Sequence, residues 1–593
     1  MPKWHRDRAT DMAEGLNPGN PEGPAGLSCI LRFRKEDNVG IALQDLTCGA
    51  SYPLVTAGAK EHRTLHIPAD QPDWCRITGQ AGSVPRYHKV ATTAIPKNSP
   101  VVKDGTAIGV ATSDIRQGER VDLCLKNSGG TLERVGGNIQ EYPNLYQPPA
   151  EPLEILAAAY RIYRDGFDRR PTLRPRESLT EIPGCPVVSV YPREDGTWGS
   201  RNHILVIPSV FCVNQEAAEI ADAFRDTHWG NQSENAVITL THQSGCCQTG
   251  FDEEVTLRTL TNMACHPNVG GVLVVTLGCS PLCVNDRLFA AIRNNAGNDR
   301  IVRCLHLQQE GRHAAISAGK RFVEEMIAVL RAQQRNPHPV SGLCLSVKCG
   351  ASDPTSGLVA NSAIGHLSDW LLDRQGTVVI SEIMEFFGAE RIVKERCRDP
   401  AVWRDLLRII KTNEMIGKSV ARAEDADIHS MELTLGNIQA GLSTQEEKSF
   451  GAFKKMGFSH PIENVVRFGE RVTGSRHGLY IMDGPGQDLV SASGLAAAGS
   501  QVMLFSTGIG TPLGNPVTPV IKITGNTDTF FRHADFIDLS IPFDRIVTEG
   551  ASEQEVAIAT LLPELIAVLE GRMTKAEQNR HRDFAIRSYT MVQ

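Results

Sequence analysis

From Val187 to the C-terminus, short apolar runs recur along the chain, separated by longer stretches of helical character. The runs are His203 to Pro208, Ala236 to Thr241, Gly271 to Leu277, Gly342 to Val347, Thr377 to Ser381, Gly478 to Met482 and Gln501 to Phe505. They are nearly continuous in apolar residues and lack the alternation of a half-solvated strand, so they predict parallel strands buried on both faces. A last helix, Glu553 to Glu570, opens with Ser552 and Glu555 in capping-box spacing and stops before Gly571, with Pro563 expected to kink it. Residues 28–130 differ. There, short β-like runs (Ile41-Ala42-Leu43, Lys89-Val90-Ala91, Val101-Val102-Lys103, Ala107-Ile108-Gly109-Val110) are punctuated by Gly105, Gly109 and Gly118 and read as a small all-β module.

Residues 131–185 are a Pro-rich connector around one short helix, Glu151 to Asp165, and residues 1–27 have the composition of a disordered tail. The expected fold is therefore a small N-terminal all-β domain followed by a large α/β catalytic region with mostly parallel sheets. That region is divided into a central domain, 186–430, and a C-terminal domain, 431–593.

Composition narrows the class. The 593 residues carry 61 Lys and Arg against 68 Asp and Glu, a net charge of −7, so no basic surplus points to nucleic acid or an anionic membrane surface. No apolar run approaches the roughly 20 residues of a membrane helix. Met1 to Gly26 has no apolar core, so a signal peptide is not expected and the cytoplasm is the expected compartment. The 15 cysteines, scattered from Cys29 to Cys397, are then free thiols, mostly packed as small hydrophobes.

Three of them share a context. Cys246 follows His242-Gln243-Ser244-Gly245, Cys279 follows Gly278, and Cys349 lies in Lys348-Cys349-Gly350, each just past a predicted buried strand. In open α/β sheets ligands bind at that edge. Three thiolates converging there would hold an iron–sulfur cluster or a soft metal with one position open; the alternative is three unconnected core thiols. Cys247, Cys265, Cys304 and Cys344 read as bystanders. His242 is a general base, a metal ligand or merely a satisfied polar residue. The Ser506-Thr507-Gly508-Ile509-Gly510 segment offers amides and hydroxyls to an anion, or is only a tight turn.

Together these motifs resemble the altronate/galactarate dehydratase family over nearly the whole chain after residue 28. The β module is similar to the family's SAF domain at Asp37-Asn38-Val39, His88-Lys89-Val90-Ala91 and Gly109-Val110-Ala111. The large region carries Tyr191 to Gly196, Gly199-Ser200-Arg201-Asn202, His242 with Gly245-Cys246, and His266-Pro267-Asn268. Further on stand Gly278-Cys279, Lys348-Cys349-Gly350, Ser352-Asp353, Ala360-Asn361, Phe387-Gly388-Ala389-Glu390, Gly436-Asn437, Glu446-Glu447-Lys448-Ser449 and Phe505 to Gly508.

The resemblance implies a hydro-lyase that converts a sugar acid of the altronate type to a 2-keto-3-deoxy acid and needs iron, as Fe2+ or a cluster. It implies Cys246, Cys279 and Cys349 as ligands, His242 and then Lys348 for proton transfer, and Asp353, Asn361, Asn437 and Thr507 as substrate contacts. The expected partner is a small sugar acid, with the chain forming a homo-oligomer. This sequence departs from the family pattern at Ser280, Ile438 and Ile509, where Glu, Lys and Arg are usual, and at Val121-Asp122-Leu123-Cys124, where a His pair is usual. A related branch, the sulfolactate sulfo-lyases, is similar at Gly436-Asn437-Ile438 and Gly514-Asn515-Pro516, so expulsion of another β-leaving group is the alternative, and a non-catalytic sugar-acid binder is a third.

Overall fold

A computed structural model describes residues 30–56, 62–71, 83–121, 125–126, 184–248, 250–278, 286–424, 433–472, 477–548 and 551–589. The expected tail and the Glu151–Asp165 helix lie outside the described residues, as does Cys279. The chain divides into two compact units, Met1–Ser128 and Gly129–Gln593.

In the first unit the described elements are all strands. Five form one sheet in the order His62–His66, Ser51–Thr56, Ile30–Arg32, Val39–Ala42 and Lys89–Ala91. Pro100–Lys103, Thr106–Ala111 and Leu125–Lys126 form a second. Two small clusters fill the unit, one around Ile30, Leu54 and Val84, and the other joining Val39 and Ala91 of the first sheet to Val101 and Ile108 of the second. The expected all-β module is present.

The second unit is built on two parallel sheets. In the first, the order is His228–Trp229, Asn235–Thr239, His203–Pro208, Val269–Thr276 and Ile301–His306, parallel throughout except for the first pair. In the second, the order is Ile462–Val466, Gly478–Met482, Thr377–Ile380, Cys344–Gly350, Val502–Thr507, Val520–Thr524 and Leu539–Ser540, all parallel. Every residue of His203–Pro208, Val269–Thr276 and Val502–Thr507 is buried, as continuous apolar runs require. All seven strands expected from the pattern are present. Five others in these two sheets were not expected from it: His228–Trp229, Ile301–His306, Ile462–Val466, Val520–Thr524 and Leu539–Ser540. The helix Glu553–Leu569 runs through Pro563, with the Ser552 hydroxyl accepting from the Glu555 amide at 3.0 Å.

The expected division at 430/431 does not follow the sheets. Cys344–Gly350 pairs directly with Val502–Thr507, so strands from both sides of that boundary share one sheet, and the change of sheet falls between His306 and Cys344. One apolar cluster runs through both sheets, joining Leu205, Ile207 and Val274 to Met482, Leu495, Met503 and Phe505.

Polar side chains join the sheets as well. The Asn268 amide donates to the carbonyls of Gln501 and Val517, both at 3.0 Å, while its oxygen accepts from the Ser200 amide at 2.9 Å. His266 Nε2 donates to the Ser500 carbonyl at 3.0 Å, and its Nδ1 accepts from Asn268 N. Buried Arg201 reaches Glu577 and the carbonyls of Val568 and Arg572. The Ser-Arg-Asn and His-Pro-Asn motifs therefore serve the architecture. No helix among the described residues is long and apolar enough to cross a membrane.

Candidate active site

In the seven-stranded sheet the chain builds outward on one side from Cys344–Gly350 through Thr377–Ile380, then returns to add Val502–Thr507 on the other side. The strand order reverses between those two neighbours, and the crevice at their carboxyl ends is where an open α/β sheet places its ligand. Lys348, Cys349, Thr507 and Gly508 stand at this reversal.

Five buried ionisable groups meet there. Lys348 Nζ is in contact with Glu382 Oε1, lies 2.8 Å from Asp488 Oδ1 and donates to the Cys349 carbonyl at 3.2 Å. Lys455 Nζ lies 2.9 Å from Glu382 Oε2, 2.7 Å from Glu385 Oε2 and 2.9 Å from Cys349 Sγ. The Cys349 thiol donates to Glu385 Oε1 at 3.3 Å. Lys348 and Lys455 are completely buried, Glu382 and Glu385 almost so. Asp488, whose side chain is 31% exposed, is the member that faces outward.

Burial and pairing push these groups in opposite directions. Burial would raise the Glu382 carboxyl, but the two ammonium groups outweigh it and hold it below the usual carboxylate range. Glu385 is raised by burial and by the charge of Glu382, which Lys455 only partly offsets. Burial would lower both lysines, yet each sits above its ordinary value: Asp488 and Glu382 hold Lys348, and Cys349 with the two glutamates holds Lys455. The Cys349 thiol is pushed up to about 12 by burial and by Glu385. Two neighbouring carboxyls are thus pushed in opposite directions, Glu382 down and Glu385 up, the pattern that separates an acid from a base.

The scaffold fixes Lys455 through its backbone. Helix Asn361–Leu372 crosses the Lys454–Met456 turn so closely that a Cβ at Gly365 would stand 2.0 Å from the Lys454 carbonyl. Ser368 Oγ donates to the Lys455 carbonyl at 3.0 Å, and Asp369 accepts from the amides of Phe458 and Ser459. Glu382 is in the left-handed region at φ 73°, which turns the chain at the end of Thr377–Ile380 and brings its carboxylate back over Cys349.

The four residues expected as substrate contacts gather around this crevice, bonded largely to protein. Asp353 Oδ1 accepts from Thr355 Oγ1 and the Ser356 amide, and its Oδ2 accepts from Asn526 Nδ2 at 2.9 Å. Asn361 donates to the Gly451 carbonyl and accepts from Ser506 Oγ. Asn437 forms a reciprocal cap with Thr434 and donates to the Ser352 carbonyl at 2.8 Å. Thr507 Oγ1 accepts from the Gly510 amide at 3.0 Å. Beside them Leu435 (69%) and Ile509 (38%) expose apolar side chains.

His242 belongs to the other sheet. It is buried, with Nε2 donating to the Pro208 carbonyl at 2.7 Å and Nδ1 accepting from the Ser244 amide at 3.2 Å; burial pushes its pKa down to about 4. Both ring nitrogens are thus occupied by backbone. Cys246 Sγ lies 3.7 Å from Cys247 Sγ, also in the first sheet's loops. Cys265 and Cys344 are buried core thiols, raised by burial to about 11 and about 12.

Among the described residues two groups have metal-ligating donor atoms within 4.8 Å of one another: Cys349 with Glu382 and Glu385, and Asp286 with Cys304 and His306. Cys246 is in neither. In the first group Lys455 Nζ already stands against one atom of each donor, so a cation at those atoms would have to displace an ammonium. That arrangement does not fit a resident metal ion. Lys455 carries no signal in the sequence, whereas Glu382 and Glu385 are legible there as polar groups just past the predicted strand Thr377 to Ser381.

A two-sheet α/β enzyme with a buried lysine–carboxylate–thiol centre at its topological switch point is what the fold and site define. Family profiles give the particular lineage. Residues 28–125 match the altronate/galactarate dehydratase SAF domain, 190–331 the second domain of D-galactarate dehydratase/altronate hydrolase, and 340–592 the C-terminal domain of D-galactarate/altronate dehydratase. The chain is similar to altronate dehydratase of Bacillus subtilis (strain 168), 30% identical over 94% of this chain and 99% of that protein. It is similar also to altronate dehydratase of Escherichia coli (strain K12), 32% identical over 94% and 98%. A third relative is the beta subunit of (2R)-sulfolactate sulfo-lyase of Chromohalobacter salexigens, 31% identical over 67% of this chain and 96% of that one. The chain belongs to the altronate/galactarate dehydratase family and is a lyase.

Proposed function

We propose that this chain dehydrates an aldonate of the altronate type to its 2-keto-3-deoxy acid at the switch-point centre. The observation that carries the reading is the pair Glu382 and Glu385, pushed in opposite directions: Glu382 is lowered by Lys348 and Lys455, and Glu385 is raised by burial and by Glu382. Dehydration needs a base for the weakly acidic C2 proton, positive charge for the enediolate that follows, and an acid for the departing C3 hydroxide.

Glu382, ionised, takes the C2 proton. Its basicity rises when the substrate carboxylate draws on the two ammonium groups that hold it. Lys348 and Lys455 then face the enediolate oxygens as fixed charges, which cost no reorganisation during the reaction. In this scheme Glu385 is the acid that delivers a proton to the C3 oxygen as the C–O bond breaks, and the Cys349 thiol holds its carboxyl in place. Lys348, the second candidate for proton transfer in the sequence, acts in this scheme as a charge. No step is assigned to His242 or to iron.

The apolar side chains of Leu435 and Ile509 beside the crevice favour a second reading, in which a smaller hydroxy acid loses a different β-substituent. Keto-acid release from altronate, galactarate and sulfolactate, with sulfite followed in parallel, separates the two. Keto acid without sulfite is expected, with Glu385→Gln slower by about 10²-fold or more. Sulfite release, or full activity in Glu385→Gln, would overturn the proposal.

A further inference from the structure

The second donor group lies in the other sheet. Cys304 and His306 alternate on one face of the Ile301–His306 strand, and Asp286 stands just before helix Arg287–Asn295, in the left-handed region at φ 52°. One donor atom of each lies within 4.8 Å of the others, and all three residues are half-buried. We infer that Asp286, Cys304 and His306 form a binding site for a divalent transition-metal ion, with at least one coordination position open.

Three features distinguish this group from a chance gathering of polar side chains. The first is donor chemistry: an imidazole, a thiol and a carboxylate form a borderline set that suits Zn2+, Fe2+ or Co2+ and not Mg2+ or Ca2+. The second is spacing. His306 Nδ1 lies 3.7 Å from Asp286 Oδ1, too far for a hydrogen bond. Two such atoms bound to one tetrahedral ion at about 2.0–2.2 Å would stand about 3.4 Å apart, so a shift of a few tenths of an ångström closes the site.

The third is the direction of the neighbouring cations. Arg287 pairs with Glu253, and Arg303 Nη1 donates to the Val302 carbonyl at 3.3 Å. Both guanidinium groups thus have partners elsewhere, whereas Lys455 stands directly against Cys349. Glu310 Oε1 accepts from the His306 amide at 2.9 Å and fixes the end of the strand. The site stands at the carboxyl edge of a parallel sheet, with Gln308 beside Gly278 at the end of the adjacent strand. It is also separate from the acid and base pair of the proposed reaction, so it holds or falls independently of that proposal.

The test is a Co2+ titration of the full chain, stripped of metal with a chelator and kept reduced and free of oxygen. Wild type is expected to bind one equivalent with sulfur-to-cobalt charge-transfer absorption. Cys304→Ser should lose that band, His306→Ala should bind at least about 10-fold more weakly, and Cys349→Ser should behave as wild type. Metal-free melting curves of the variants, with His306→Asn as a second substitution, separate lost ligation from lost folding. The inference is overturned if wild type binds no Co2+, if the band survives in Cys304→Ser, or if Cys349→Ser alone abolishes it.

Discussion

Replacing Lys455 by Met removes a fully buried ammonium and keeps most of its aliphatic volume. The ammonium makes three contacts of 2.7–2.9 Å, to Glu385, Glu382 and Cys349. Glu382 would keep only Lys348, and Glu385 would lose its contact with Lys455. Breaking a buried pair by deleting one partner costs about 3–5 kcal/mol, because the other charge is left uncompensated. The retained Lys348–Glu382 contact puts the expected loss at the lower end, about 3 kcal/mol.

The sign of the pH dependence follows from Glu385. Its carboxyl is already raised in the folded state, so its contribution to stability is full below the ordinary glutamate value and is lost as pH rises through the folded one. Without Lys455 it rises further, so the variant should be penalised more at pH 8 than at pH 5. Urea unfolding followed by far-ultraviolet circular dichroism at both pH values measures this. The double variant Lys455→Met/Glu385→Gln should be more stable than the sum of the singles by about 1–3 kcal/mol. A loss below about 1 kcal/mol in Lys455→Met, or strict additivity in the double variant, would refute a charge-compensated centre.

Glu390 is buried beside Glu414, and burial followed by that charge raises its carboxyl to about 7. The stability it contributes should be complete below about 4.5 and fade as pH rises through 7, so Glu390→Gln should raise the unfolding midpoint at pH 8 and leave it nearly unchanged at pH 4.5; equal shifts at both would refute this. Gly365→Ala places a methyl 2.0 Å from the Lys454 carbonyl and must push the turn carrying Lys455 away. It should lower kcat on the accepted sugar acid by about 10²-fold with the far-ultraviolet spectrum retained; unchanged kcat would disconnect that helix crossing from the centre.

The chain pattern alone determined the two kinds of architecture, because strands buried on both faces must be continuously apolar and those of the small module must be short and broken by glycine. Its motifs determined the family, and its strand ends marked Cys349 and Lys348. Strands whose sequence carries a charge escaped the pattern: Ile301–His306 contains Arg303, which faces solvent on an edge strand, and Val520–Thr524 contains Lys522, whose burial lowers it to about 8 with only the charge of Asp538 in opposition.

Tertiary structure alone decided which polar residues meet. Glu382 and Lys455 are 73 positions apart, and only the return of the chain through the Lys454–Met456 turn brings the ammonium over the carboxylate. It also gave His242 and His266 to backbone carbonyls, and put Cys304 beside His306 and Asp286. A motif states which side chain is available; the partners that set its charge and its chemistry come from other strands, and sheet order is not written in local spacing.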